Sequence, residues 1–143
     1  MNWNEAHTLM ETAQDEMRGK PIANNTRLYK HGFDAYEIKL HGNVIMIIYS
    51  DRNEIFDGDW KTVTTKERLN RYIPRGFRVY QKDWRWYLKD YNNNVDYKFD
   101  DVRWIHNDGR VMLYSTHPNY PNQKNSENLP FLNWNNLPWG EIK

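Results

Sequence analysis

The sequence predicts an α+β fold: a mainly antiparallel sheet of five to seven strands, covered by an N-terminal helix and one short helix. Three observations predict it. The chain opens with an apolar stripe at three- and four-residue spacing: Trp3, Ala6, Leu9, Met10, Ala13 and Met17. Short runs of alternating apolar and polar residues follow, as in Tyr36-Glu37-Ile38-Lys39-Leu40-His41. Turn signals separate the runs at hairpin spacing, the clearest being His41-Gly42-Asn43 and Asn107-Asp108-Gly109.

The first element is a helix over 3–18. Asn2 with Glu5 forms a capping pair, and Gly19 is a suitable stop. The strand at 36–40 turns at His41-Gly42-Asn43 into Val44-Ile45-Met46-Ile47-Ile48-Tyr49. That run is apolar on both faces, which places it at the centre of the sheet. A turn at Ser50-Asp51-Arg52-Asn53 leads to a short strand, Glu54-Ile55-Phe56. Thr64 with Glu67 reads as a capping box for a helix of about 65–73, ended by Pro74. Phe77–Tyr80 and Trp84–Leu88 form a tight hairpin around Gln81-Lys82-Asp83. Val102–His106 and Arg110–Tyr114 form another around Asn107-Asp108-Gly109.

At 143 residues the chain suits one domain. We assign it to residues 1–114. Residues 115–143 are rich in Asn and Pro but carry Tyr120, Phe131, Trp134 and Trp139. They are expected to form an extended arm, packed on the body or on a neighbouring chain, which would give a route to a homo-oligomer. Hydrophobic residues are only 38% of the chain while aromatics reach 15%, so the core must rest on few, large side chains.

There is no cysteine, which excludes disulfides, cysteine zinc sites and a thiol nucleophile. No stretch approaches the roughly 20 apolar residues of a membrane span, and the first residues lack the pattern of a secretion signal. The expected location is cytoplasmic, with no membrane partner. Asn24-Asn25-Thr26 matches a glycosylation sequon, which in that compartment is a chance match.

Net charge is +1, but its distribution is uneven. Residues 1–59 hold six Lys/Arg and ten Asp/Glu, residues 60–91 hold nine and three, and residues 92–143 hold five and six. The basic middle carries Lys61, Lys66, Arg68, Arg71, Arg75, Arg78, Lys82, Arg85 and Lys89 among Trp60, Tyr72, Phe77, Tyr80, Trp84, Trp86 and Tyr87. Positive charge tracks a phosphate backbone, and exposed rings stack on unpaired bases. On a strand, Arg85, Tyr87 and Lys89 share the face opposite Trp84, Trp86 and Leu88. The candidate binding residues are Lys66, Arg68, Arg71, Arg78, Lys82, Arg85, Tyr87 and Lys89. Against this stand the ordinary roles of such residues. Arg71 lies one turn after Glu67 and pairs with it in the simplest reading, and edge strands carry Lys and Arg to prevent aggregation.

Asn24-Asn25-Thr26, Leu40-His41, the segment Trp60-Lys61-Thr62-Val63-Thr64-Thr65-Lys66-Glu67-Arg68-Leu69-Asn70 and the pair Arg78-Val79-Tyr80 with Trp86-Tyr87-Leu88 carry a resemblance. Over roughly residues 22–90 the chain resembles a family of small bacteriophage-encoded proteins of unassigned function. The Trp-x-Thr-x-Thr-Thr-Lys-x-Arg-x-Asn segment is its specific part. Asp59 stands where that pattern has glycine before Trp60, and the Asn/Pro-rich end has no counterpart. The resemblance implies phage origin and a cytoplasmic role in an infected cell, and it assigns no catalytic residue.

No phosphate loop, dinucleotide fingerprint, nucleophile elbow or His-Glu-x-x-His is present. A hydrolytic metal site built from His41 with Asp57 or Asp59 is an outside reading, against the plainer one of a turn histidine and solvated loop carboxylates. We therefore expect a non-enzymatic phage accessory protein with no cofactor and no metal. Its expected partner is single-stranded nucleic acid, through residues 60–89. The alternative is a protein-binding inhibitor or adaptor acting on a host factor such as an antiphage defence system.

Overall fold

A computed structural model describes residues 1–114. Helix α1 covers Trp3–Glu11 and begins with the expected capping box. The Asn2 side chain accepts the Glu5 N–H, and the Glu5 carboxylate accepts the Asn2 N–H, each at 2.8 Å. The helix stops seven residues short of the expected end at 18. The Thr12 hydroxyl donates to Leu9 O, and the Asp15 carboxylate accepts the Met17 N–H. These side-chain bonds offer the backbone an alternative to the helix. Met17, counted as part of the buried stripe, is exposed.

Five strands follow, each hairpinned to the last: β1 (Lys20–Ala23), β2 (Thr26–His31), β3 (Ala35–Leu40), β4 (Asn43–Ile48) and β5 (Arg52–Ile55). After β5 come helix α2 (Val63–Tyr72), β6 (Phe77–Lys82), β7 (Arg85–Asp90), β8 (Val95–Lys98) and a single 3₁₀ turn at Phe99–Asp101. Strands β9 (Val102–His106) and β10 (Val111–Leu113) complete the described chain. The fold is α+β and every strand pairing is antiparallel. One sheet has seven strands in the order β1-β2-β3-β4-β5-β9-β10, and a second has three in the order β6-β7-β8. Helix α2 and the second sheet are thus inserted between two neighbours of the first, β5 and β9.

The apolar run at 44–49 becomes β4, the middle strand of seven. Ile45, Met46, Ile47 and Ile48 are all buried, which places apolar side chains on both faces. In β3, Tyr36, Ile38 and Leu40 point to the core and Glu37 and Lys39 away from it. The β1–β2 hairpin and β8 are additions to the expected strands.

Helix α2 begins earlier than expected and has a different cap. Thr62, not Thr64, accepts the Thr65 N–H, at 3.1 Å. Glu67 is turned away from the helix start by Arg68 and Arg71, which both pair with it. Ile73 takes extended dihedrals before Pro74, as a residue preceding proline must.

Both sheets turn one face to a shared core. Leu28, Ile38, Met46, Ile48 and Ile55 come from the larger sheet, Val79, Trp86 and Leu88 from the smaller, and Leu69 from α2. Phe99 meets Trp86 edge-on at 5.3 Å. Among the described residues no helix is long and apolar enough to cross a membrane. The arm expected at 115–143 lies outside the described residues.

Candidate nucleic-acid interface

Strand alternation builds the site. In β6, Phe77 and Val79 are buried while Arg78 and Lys82 are exposed. In β7, Trp86 and Leu88 are buried while Arg85 is exposed and Tyr87 and Lys89 are half-buried. The register pairs like with like: Arg78 with Lys89, Tyr80 with Tyr87, and Lys82 with Arg85. The outer face of the hairpin therefore reads, rung by rung, cation, aromatic, cation. Rungs on one face of a strand lie about 6.6 Å apart.

Strand β8 extends the face. Tyr87 pairs with Lys98 and Lys89 with Asp96. The Tyr80 and Tyr87 rings stack at 5.4 Å and 24°. Loss of hydration, then a hydrogen bond to Asp96, hold the Tyr80 phenol above its usual pKa, so it stays neutral. Arg78, Lys82, Arg85 and Lys98 have no ion-pair partner among the described residues. Lys89 is engaged: its ammonium lies 3.0 Å from Asn94, 3.5 Å from Asp96 and 5.8 Å from the Tyr91 ring centre. One carboxylate against five cations leaves the face strongly positive, with rings in its middle.

Helix α2 holds the free edge of β6. The Asn70 amide accepts the Val79 N–H at 2.7 Å and donates to Val79 O at 2.9 Å. A groove of about 450 Å³ runs between helix and strand, lined by Lys66, Glu67, Arg71 and Arg78 among others. Lys66 donates to Gln81 across it at 3.2 Å. Arg71 is tied to Glu67 at 2.9 Å, the ordinary pairing weighed above.

Of the eight candidate residues, Arg78, Lys82, Arg85, Tyr87 and Lys89 share the outer face, and Lys66 and Arg71 line the adjoining groove. Arg68 is not at the surface. It is 9% exposed, and its guanidinium donates to Thr26 Oγ1 at 2.9 Å and Asn24 O at 3.0 Å. It is a strut between α2 and the β1–β2 turn. Trp84 leaves the face assigned to it, since it sits in the β6–β7 turn instead of on the strand. Lys98 was missed because its strand was not expected.

A further cavity lies elsewhere, about 670 Å³ lined by Glu37, Lys39, Asp57, Asp59, Lys61, Phe99 and Asp100 among others. It is where a metal site would have been sought, but His41 does not line it. Lys61 sits between Asp57 at 2.8 Å and Asp100 at 3.2 Å. Burial works against that ammonium, yet the two carboxylates outweigh burial and raise its pKa. A fixed ammonium thus stands where a shared cation would sit. Among the described residues no three His, Asp or Glu side chains are grouped to hold a metal.

Against known protein families, the model of the Kyanoviridae Gp96 protein matches residues 2–109. The chain belongs to the Kyanoviridae Gp96 protein family. That match makes it a phage protein and extends on both sides of the 22–90 segment that carried the resemblance. The whole Gp96 hairpin from Phe77 to Asp90 falls within it, as does β8 with Lys98. No curated protein and no solved structure matches the chain.

Proposed function

We propose that this Gp96-family phage protein is a non-enzymatic accessory protein that contacts single-stranded nucleic acid in the cytoplasm of the infected cell. The observation behind the reading is the outer face of β6-β7-β8: unpaired cations at either end of a stacked tyrosine pair. Phosphates pair with the cations and bases with the rings. Nothing on the face resembles a base-reading helix, so binding should be modest and tolerant of sequence. The reading needs no cofactor.

The test is fluorescence anisotropy with a labelled oligonucleotide at several salt concentrations. For single strands each phosphate contact contributes a salt slope of about 0.7. Replacing Lys82, Arg85 and Lys89 together by Ala should lower the slope by about 2 without unfolding the protein. A folded protein that fails to bind at low salt rejects the reading.

A second reading is an inhibitor or adaptor that engages a host protein, such as a component of an antiphage defence system. Its support is apolar: Trp60 and Val63, at the start of α2, are both exposed. Capture of a host protein that survives nuclease treatment and is lost in Trp60→Ala would favour it.

A further inference from the structure

Trp84 occupies a position made for a smaller residue. It follows Asp83 in the two-residue turn between β6 and β7, and both have positive φ, 52° and 68°. Such a turn suits Asn-Gly or Asp-Gly, because only glycine takes the left-handed region freely. The β3–β4 hairpin keeps to the rule with His41-Gly42, at φ 51° and 82°. In β6–β7 the glycine place holds an indole, and the strain is not offset by packing, since Trp84 is 91% exposed. Strain and exposed apolar surface held together without internal compensation point to a contact with another molecule.

The surroundings say which molecule. Trp84 caps the end of the hairpin whose nearest rung is Lys82 with Arg85, followed by Tyr80 with Tyr87 and then Arg78 with Lys89. From the tip inward the order is ring, cation, ring, cation. We infer that Trp84 is the stacking tip of the nucleic-acid interface. A single strand runs along the hairpin, its phosphates on the two cationic rungs and an unpaired base on the indole. The inference rests on the reading proposed above and adds the place of its base contact. The strand must present an unstacked base at the tip, so single strands are preferred to closed duplex.

The test uses the full chain and a short fluorescein-labelled oligothymidylate at low salt, with a blunt duplex as second probe. Trp84→Gly restores the Asp-Gly pair. It should weaken single-strand binding about ten-fold, as loss of a stacked base does. Duplex binding should change less than about two-fold. The melting temperature should hold or rise by a few degrees, because the strain is relieved. Trp84→Asn, which also tolerates the left-handed region, guards against a folding defect, and Trp84→Tyr should retain most of the affinity. Wild-type binding with an unaffected Trp84→Gly variant overturns this inference alone. An equal loss on both probes also overturns it, because a stacking tip acts only on unpaired bases. No wild-type binding to either probe overturns it together with the reading beneath it.

Discussion

Arg68 and Arg71 stand three residues apart on one helix and do different work. Arg68 ties α2 to Thr26 and Asn24, and its removal leaves buried polar groups without a donor. Arg68→Ala should therefore cost about 3 kcal/mol in urea denaturation. Arg71, exposed and paired with Glu67, should cost under about 0.5 kcal/mol. The sequence reading set Arg68 among the binding residues, although helical spacing puts it on the side of Thr65, Leu69 and Tyr72, which the structure buries. Its charge pointed the other way because a buried arginine needs acceptors, and those come from a hairpin that the sequence reading had passed over. Tyr49 gives a second prediction. Burial first, and the Glu54 carboxylate it donates to at 2.9 Å second, raise its pKa from 10.0 to about 12. The raised value means that the folded state favours the neutral phenol. Its stabilisation is complete below pH 10 and is lost as pH rises through about 12. Urea midpoints measured between those limits should fall more steeply for the wild type than for Tyr49→Phe.

Among elements, the strands that could be read were those whose faces differ in polarity or whose turns carry Gly. The alternation at 36–40, the doubly apolar β4 and the Asp108-Gly109 turn all became structure as expected. The sequence of β8, Val95-Asp96-Tyr97-Lys98, alternates over only four residues, and with one half-buried ring and three exposed residues it lacks the apolar face that marks a strand. It is held by its turn. Asp90, buried, accepts the N–H groups of Asn92 and Asn93 and the Asn93 side-chain amide. The outer face of the hairpin followed from period-two spacing, but Lys98 could not be placed without β8. Asn70 ties α2 to the backbone of β6, bonded to both backbone groups of Val79. Asn70→Ala should cost about 2 kcal/mol and speed hydrogen exchange at the Val79 amide, while the β6–β7 ladder stays protected.

For the molecule as a whole, composition and pattern settled the class but not the division into two sheets. The pairing of β5 with β9 spans an inserted helix and an inserted sheet, and no local pattern encodes a partner so far along the chain. The shared core yields a prediction. Leu88 belongs to the smaller sheet, yet it packs in one cluster with Ile48 and Leu28 of the larger. Leu88→Ala should cost about 3 kcal/mol, and amide protection should fall in both sheets together. A smaller sheet that opened first, with the larger one intact, would contradict this.

The asparagine clamp on β6 also fixes a width. The side-chain amide of Asn70 occupies both backbone groups of Val79, which an added strand would need for its ladder. The opposite edge, β8, alternates Asp96 and Lys98 with its neighbours, and charges along an edge discourage strand addition. With growth checked on both sides, the platform stays three strands wide, about 10 Å between its outer strands. On the reading proposed above, that width suits one polymer chain laid lengthwise, bounded by Asn70 on one side and two charged side chains on the other.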